Sequence, residues 1–331
     1  MCESRPVDIA VIGLGLIGGS LLRALATRGH RLLAYDADPA TRATARTAAA
    51  RAPAGTRWQV TGSVRDAVAT SELAVLAVPL PALPGVLDEL SGALYTGVVT
   101  DVTSVKGPVR DLVAARLYGP HTRAAGFVGG HPMAGRETSG FANADADLFT
   151  GAAWVLCVEP DTALADWLEL AALVTSLGAR VVPATADEHD RAVAAISHVP
   201  HLLAAATVAV ASGDPLALTL GAGSFRDGTR VAAARPDLVA AMCAGNADAV
   251  TAALDAVLAA LADARAGLTD PPALRAWLSG PQAVRAAWPP APASSIELPA
   301  RADTLLRLGR VGGWITVVAP DRRTVTAVRP G

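Results

Sequence analysis

The segment that most restricts how this chain can fold lies near its start, where an apolar run leads into closely spaced glycines. Residues 8–20 read DIAVIGLGLIGGS. The glycines follow the spacing G-x-G-x-x-G and are Gly13, Gly15 and Gly18. Between a strand and a helix, this spacing allows a tight turn, close approach of a pyrophosphate and close helix–strand packing. The free N–H groups at Leu16 and Ile17, at the positive end of the helix dipole, are predicted to bind the phosphates.

One carboxylate predicts which dinucleotide this glycine loop prefers. Asp36 ends the second apolar run, 23 residues after Gly13. A carboxylate at that point accepts hydrogen bonds from both ribose hydroxyls of NAD and repels the 2′-phosphate of NADP. Asp38 adds a second negative charge, and Arg42 is expected on a solvated helix face. The sequence therefore predicts NAD as the cofactor, with a similar fold that binds no nucleotide as the alternative.

The first half of the chain alternates short apolar runs with amphipathic segments, which is typical of βαβ units and a parallel sheet. Seven strands are predicted, in the ranges 8–13, 31–35, 73–78, 98–101, 125–129, 154–158 and 180–183. From residue 186 to about 266 the periodicity is helical only. The predicted architecture is an α/β, Rossmann-type doubly wound sheet over residues 1–185 and an all-helical domain over 186–268. Residues 269–331 are predicted to form an irregular linker and a short tail with strands at 296–298, 314–318 and 324–328 and a helix at 303–308.

Composition narrows the class of protein. The 28 basic and 30 acidic residues leave a formal charge of −2 without a long run of either sign, which argues against a nucleic-acid or membrane partner. No signal peptide is evident, and the uncharged stretch 192–212 contains histidines and a proline, so a buried helix is expected there. The cysteines are predicted to be reduced thiols without metal-ligand spacing: Cys2, Cys157 and Cys243. A cytoplasmic location is expected.

The segment DVTSVKGP, residues 101–108, follows a predicted strand of the parallel sheet. Ligands of open α/β sheets bind at such strand ends, so polar residues here are candidates for function. Ser104 is either a site residue or the cap of the next helix. Lys106 is the only lysine in the chain and is predicted to contact an anionic ligand.

The segment GGHPMAGRETSG, residues 129–140, places His131 among glycines on a predicted loop after a strand. Histidine is the usual base for a hydroxyl proton at neutral pH, which makes His131 the candidate general base. Glu137 is either a site residue or a surface or capping residue.

The histidines of the helical half form a third candidate group: His189, His198 and His201. Metal binding is disfavoured, because Pro200 interrupts the helix and no carboxylate or cysteine completes a ligand set. Hydrogen bonding to a carboxylate substrate is preferred, with the guanidinium of Arg230 as a bidentate partner.

In this order, the segments GLGLIGGS, DVTSVKG, GGHPMAGRETSG, HDRAVAAISHVPH and SFRDGTR, together with Asp36, resemble the prephenate/arogenate dehydrogenases of tyrosine biosynthesis. The resemblance covers about residues 7–265. It implies oxidative decarboxylation of prephenate or arogenate, with hydride passing from C4 to NAD, and a homodimer formed by the helical domain. No metal is required.

The same resemblance assigns roles to individual residues. It implies that His131 takes the C4 hydroxyl proton while Ser104 orients that histidine and the hydroxyl. The residues that it implies for substrate binding are Arg230, His201, His189 and Glu137, with His198 either substrate-binding or structural. Prephenate is the favoured substrate, and arogenate, an amino-substituted prephenate and an inactive NAD-binding sensor are the alternatives. The tail is too short for the regulatory ACT domain that some members carry.

Overall fold

The computed structural model describes residues 6–119, 122–123, 126–136 and 138–330. The chain forms two compact units, one of Met1–His189 with Ser294–Arg329 and one of Asp190–Ala293 with Pro330–Gly331. The strands are β1 (Asp8–Ile12), β2 (Arg31–Tyr35), β3 (Gln59–Val60), β4 (Leu73–Leu76), β5 (Val98–Asp101), β6 (Tyr118–Gly119), β7 (Thr122–Arg123), β8 (Gly126–Val128), β9 (Gly130–Pro132), β10 (Ala153–Cys157), β11 (Arg180–Ala184), β12 (Pro292–Pro299), β13 (Trp314–Val318) and β14 (Thr324–Pro330). The α-helices are α1 (Leu16–Ala26), α2 (Pro39–Arg51), α3 (Val64–Val68), α4 (Leu83–Gly92), α5 (Gly107–Leu117), α6 (Leu164–Ser176), α7 (Ala186–Val193), α8 (Val199–Ala211), α9 (Pro215–Thr219), α10 (Gly223–Thr229), α11 (Pro236–Gly245), α12 (Ala247–Ala266), α13 (Pro271–Ala286) and α14 (Ala302–Arg310).

The first unit contains the predicted parallel sheet, with strand order β3-β2-β1-β4-β5-β8. Side chains of β1 point alternately into two cores. Ile9 and Val11 pack with α1 and α2, whereas Ala10 and Ile12 pack with α3, α4 and α5. Helices therefore cover both faces, which is why the strands read as continuous apolar runs. The doubly wound sheet predicted from sequence is confirmed.

A second six-stranded sheet completes this unit, with order β12-β14-β13-β11-β10-β9. Strands β10 and β11 are parallel, but β9 runs antiparallel to β10, and β13 antiparallel to β11. The ranges 154–158 and 180–183, predicted to extend the first sheet, thus belong to another sheet. An apolar run indicates a buried strand but does not indicate which strand it pairs with. The sequence therefore did not show that these strands form a second sheet.

The C-terminal tail is part of the first unit rather than a separate appendage. Leu305 and Leu308 of α14 are buried in the same core as Trp167 of α6 and Ile315 of β13. A Cβ on Gly309 would lie 1.8 Å from the carbonyl oxygen of Pro183, so α14 approaches β11 as closely as a glycine allows. The tail helix and the last two strands of the tail lie within two residues of the predicted ranges. The strands β13 and β14 extend the second sheet, and α14 packs into its core.

Between residues 190 and 286 of the second unit, every regular element is a helix, as predicted for the segment 186–268. Residues 270–293, the first part of the segment 269–331 and the part predicted as an irregular linker, instead contain α13 over Pro271–Ala286. The Asp270 side chain caps this helix by accepting a hydrogen bond from the Ala273 amide at 3.2 Å, and prolines occupy its first turn. Proline is tolerated in a first helical turn, so the Pro-rich composition was a misleading sign of a linker.

One helical stretch, Ala186–Ala211, is long and apolar enough to cross a membrane by length and composition, with a hydropathy of 1.7 in its best window. A single chain buries only 28% of that window. The side chains of Ile196 and Val210 are 67% and 83% exposed. The buried helix expected here is therefore mostly exposed within a single chain.

Candidate functional site

The glycine loop has the geometry that its sequence predicts. Gly13 adopts φ +97° and donates its N–H to the carbonyl of Tyr35 at 2.7 Å, which ties the loop to β2. A Cβ on Gly18 would lie 2.0 Å from the Gly13 carbonyl oxygen, so α1 needs a glycine there to pack on the loop. A Cβ on Gly15 would meet no atom within 4 Å, so this side of the loop is open.

The first turn of α1 presents backbone N–H groups without a side-chain cap. The helix begins at Leu16, and its capping residue Gly15 has no side chain to accept from them. Such a helix start, beside an open glycine, is the arrangement that binds phosphate. The residues predicted to hold the pyrophosphate therefore fit that group.

Asp36 is held at the carboxyl end of β2, beside this loop. Its Oδ2 accepts the Leu14 N–H at 2.7 Å and its Oδ1 accepts the Asp38 N–H at 2.8 Å. Arg42 was expected to extend into solvent. Instead, its guanidinium donates to the carbonyl oxygens of Asp36 and Ala37 at 2.6 and 3.0 Å. The Asp36 carboxylate thus has a fixed orientation and unused lone pairs for ribose hydroxyls.

Lys106 and Asp101 form a buried ion pair across the loop between β5 and α5. The Lys106 ammonium, whose side chain is 1% exposed, donates to the Asp101 carboxylate and to the carbonyl oxygen of Gly130 at 2.6 Å. Asp101 also accepts the Gly130 N–H at 3.1 Å. Both backbone groups of Gly130, the residue before His131, are therefore bonded to this pair. Asp101 was not singled out from the sequence, where the only signal for it is an acidic residue at the end of an apolar strand.

His131 lies on a strand rather than on the predicted loop. Strand β9 pairs antiparallel with β10, and His131 lies opposite Val155. Its Nδ1 is 2.8 Å from Nε2 of His189, and the two rings meet edge to face at 73°. His189 is buried on α7 and is the last residue of the first segment of the first unit. The structure thus brings together two of the predicted site histidines, 58 residues apart in sequence.

Ser104 is half-buried in the loop between β5 and α5. The capping position of α5 is occupied by Lys106, and no side chain caps that helix. The alternative assignment of Ser104 as the helix cap is therefore not what the structure shows. Glu137 lies outside the described residues.

The other predicted substrate residues belong to the helical unit. His201 on α8 lies 3.1 Å from the Val231 carbonyl oxygen through Nδ1, and Val231 follows the exposed Arg230 directly. His198 is fully buried in the same unit, with Nδ1 3.3 Å from Nδ2 of Asn246. The structure therefore places His201 beside the Arg230 segment, while His198 faces into the helix packing. Among the described residues, no group of three or more His, Cys, Asp or Glu side chains is placed to hold a metal ion.

Family models match most of the chain. Residues 21–183 match the model described as prephenate dehydrogenase, nucleotide-binding domain. Residues 185–278 match the model described as prephenate dehydrogenase, dimerization domain. The first match runs from within α1, after the glycine loop, to β11, and the second runs from α7 into α13.

Individual relatives agree with these matches. The prephenate dehydrogenase of Bacillus subtilis is 33% identical over 236 residues, which are 69% of this chain and 61% of that protein. The chain thus spans less than two thirds of that relative's length. The cyclohexadienyl dehydrogenase of Zymomonas mobilis is 32% identical over 271 residues, 78% of this chain and 88% of that protein.

A solved structure extends the comparison to the fold. The crystal structure of Synechocystis arogenate dehydrogenase superposes with a TM-score of 0.72 at 28% identity, covering 85% of this chain and 99% of that one. The open glycine loop, the carboxylate at the end of β2 and the braced histidine pair therefore occur in a chain whose two portions both match one family. The chain belongs to the prephenate dehydrogenase family.

Proposed function

We propose that this protein is an NAD-dependent prephenate dehydrogenase of tyrosine biosynthesis, which converts prephenate to 4-hydroxyphenylpyruvate by oxidative decarboxylation. The observation that carries the proposal is the His131–His189 pair at 2.8 Å, in the same unit as the glycine loop. A histidine whose ring is oriented by a second group is a suitable general base. The family match supplies the substrate class.

NAD is the proposed cofactor. Gly13, Gly15 and Gly18 with the N-terminal amides at Leu16 and Ile17 would hold its pyrophosphate, and Asp36 would accept its ribose hydroxyls. Bound NAD⁺ supplies the two-electron acceptor for the oxidation. The Asp36 carboxylate repels a 2′-phosphate, which favours NAD over NADP.

The role of His131 requires one particular tautomer. To accept a proton from the C4 hydroxyl, its Nε2 must carry a lone pair, so its Nδ1–H must donate to Nε2 of His189. Oxidation at C4 with loss of the ring carboxylate as CO₂ leaves an aromatic ring, which makes the overall step downhill. The protein then has to position the substrate and remove one proton.

The other predicted site residues divide into binding and positioning groups. In the helical unit, Arg230 and His201 are proposed to bind substrate carboxylate, while His198, buried against Asn246, is assigned a structural role. Ser104 is proposed to orient the hydroxyl and His189 to orient His131, and Glu137 remains a proposed contact near the substrate.

Lys106 was predicted from sequence to contact the substrate. Its ammonium is directed at Asp101 and the Gly130 carbonyl, so we assign it the positioning of His131 instead.

A cytoplasmic homodimer is the proposed form of the enzyme, with no nucleic-acid or membrane partner. The match to a dimerization domain and the exposed apolar side chains of α8 to α13 support it. Among those side chains are Val210, Leu216, Leu220 and Val284. Covering them with a second copy removes an apolar surface that a lone chain would present to water.

A substrate matrix tests the proposed activity. Prephenate and arogenate are each supplied with NAD⁺ and with NADP⁺, and reduced cofactor is followed by absorbance. We expect turnover with prephenate and NAD⁺, and a loss of about 10²–10⁴-fold in kcat for His131→Asn with NAD⁺ binding unchanged.

Turnover of arogenate alone would reassign the substrate, an outcome that the likeness to the Synechocystis arogenate dehydrogenase makes worth measuring. An amino-substituted prephenate is the third substrate to assay. Binding of NAD⁺ without turnover of any of the three would identify a sensor and contradict the proposal.

A further inference from the structure

A cleft of about 1080 Å³ lies in the first unit, away from the glycine loop and from His131. Its described walls are the later turns of α1 and α2, the stretch that leads to Trp58 and, further along the chain, Arg136, Thr138 and residues 142–146. Ligand pockets commonly have volumes of about 300–1,000 Å³, so the cleft is large enough for an organic molecule. Nothing in the proposed reaction uses it.

The described lining of the cleft carries a net positive charge, whereas the chain as a whole carries −2. Its described lining contains three arginines, Arg23, Arg51 and Arg136, and one acid, Asp145, which makes three positive charges against one negative, or +2. The acid is already engaged, because Arg136 donates to its Oδ2 at 2.5 Å. Hydrogen bonds from the Asp147 amide and from Arg136 lower the pKa of Asp145, so its charge persists at neutral pH.

Arg23 and Arg51 supply the excess charge. Neither forms an ion pair with any residue in the described part of the chain, although Arg23 lies near enough to Asp145 to help lower the pKa of that carboxyl. Arg51 is exposed in the last turn of α2. The guanidinium carbon of Arg23 lies 4.9 Å from the centroid of the Phe141 ring, and its buried Nε has no hydrogen-bond partner among the described residues.

The rest of the lining favours a ligand with a carbon body. Ala48, Ala52, Pro53 and Trp58 form apolar walls. The threonine hydroxyls contribute few donors, because Thr47, for example, already donates to the Ala43 carbonyl at 3.1 Å. The arginines are thus the main donors that the cleft offers to an anion.

From these observations we propose that the cleft binds an organic phosphate, whose phosphate group is held by Arg23 and Arg51 and whose carbon body lies against the apolar walls. Two guanidinium groups that form no ion pair in the described part of the chain match a phosphate monoester, which carries about −1.5 to −2 at neutral pH. Arginine binds phosphate oxygens through paired N–H groups, and such charge-assisted bonds are the stronger ones.

Isothermal titration calorimetry at pH 8 and constant ionic strength tests the proposal on the full-length protein. Glucose 6-phosphate is the probe, with inorganic phosphate and glucose for comparison, and saturating NAD⁺ keeps the glycine loop filled. We expect saturable binding of glucose 6-phosphate at one site per chain, weaker binding of inorganic phosphate and none of glucose. Each of Arg51→Gln and Arg23→Gln should weaken binding about tenfold.

Two control variants locate the site. Arg265→Gln removes an exposed arginine from the last turn of α12, as Arg51→Gln does from the last turn of α2, and should leave binding unchanged. Arg230→Ala, which alters the proposed substrate site, should also leave it unchanged.

The absence of saturable binding, equal weakening by Arg265→Gln, or loss of binding only in Arg230→Ala would each overturn the proposal. Arg23 packs on Phe141, so thermal melting of every variant is measured, and Arg51→Gln decides the outcome if Arg23→Gln unfolds.

Discussion

Nδ1 of His131 and Nε2 of His189 lie 2.8 Å apart, although β9 carries one residue and α7 the other. A single proton between the two nitrogens links their tautomers, since one ring must donate and the other accept. The proton state of the proposed base therefore depends on a histidine that need not touch the reacting atoms.

If His189 positions His131, its substitution should lower kcat much more than it changes KM for prephenate. His189→Leu removes the acceptor and should lower kcat by up to about 100-fold, with KM for prephenate changed far less. His189→Gln keeps a side-chain acceptor and should recover part of kcat. Steady-state kinetics of both variants measure the split. Equal losses in the two variants would contradict the hydrogen-bond role and indicate only a packing role.

Because Lys106 and Asp101 form a buried ion pair, we expect substitutions of the two residues to have strongly non-additive effects on the free energy of unfolding. Lys106→Met leaves a buried carboxylate without its cation and should lower the free energy of unfolding by about 3–5 kcal/mol. Asp101→Asn leaves the opposite charge unpaired. The double variant should lose clearly less than the sum of the two single losses, measured by urea denaturation of all four proteins. Additive losses would mean that the two side chains act independently.

We expect substitution of Arg230 to weaken the binding of the substrate but not that of the cofactor. Arg230→Ala should raise KM for prephenate about 10–100-fold, because it removes a charge-assisted contact, and leave the Kd for NAD⁺ unchanged. Arg235→Ala is the matched control, since Arg235 lies in the same unit and pairs with Asp237 at 2.6 Å. If KM were unchanged in Arg230→Ala, the substrate carboxylate would have to bind elsewhere.

Asp36 predicts cofactor preference. Asp36→Asn removes the negative charge but keeps an oxygen that accepts the Leu14 N–H. The ratio of kcat/KM for NAD⁺ to kcat/KM for NADP⁺ should fall about tenfold or more.

The neighbouring Asp38 is the control for this cofactor test. It caps α2 by accepting from the Thr41 amide at 2.9 Å, so Asp38→Asn should leave the ratio unchanged. A fall in the ratio with Asp38→Asn but not with Asp36→Asn would move the ribose contact to Asp38.

His30 predicts a pH dependence of stability. Burial lowers the pKa of His30, and its Nδ1 accepts the Val7 N–H at 3.2 Å, which requires the neutral ring. The stability that this neutral ring contributes is fully present above the unfolded pKa of about 6.5 and is lost as the pH falls below it, because the unfolded chain then takes up the proton.

Urea denaturation at pH 7.5, 6.5 and 5.5 measures the contribution of His30. The loss on acidification should be smaller in His30→Gln, by at most about 1.4 kcal/mol per pH unit. Parallel curves for the two proteins would contradict the assignment.

Much of the first unit was predictable because its signals are local. Strands β2, β5 and β13 coincide with the ranges predicted from apolar runs. The glycine loop is equally local, since spacing alone places Gly13 in the turn and Gly18 under α1. Short-range periodicity and turn chemistry determine such elements.

The tertiary structure decided what depends on contacts between distant segments. Periodicity could not show that β9 reverses direction to pair with β10, or that the tail returns to β11. It could not show that Lys106 turns away from solvent to Asp101, or that His189 lies beside His131. The sequence was thus sufficient to select the candidate residues of this site. Which of them contact one another was determined by the pairing of distant strands and by the burial of charged groups.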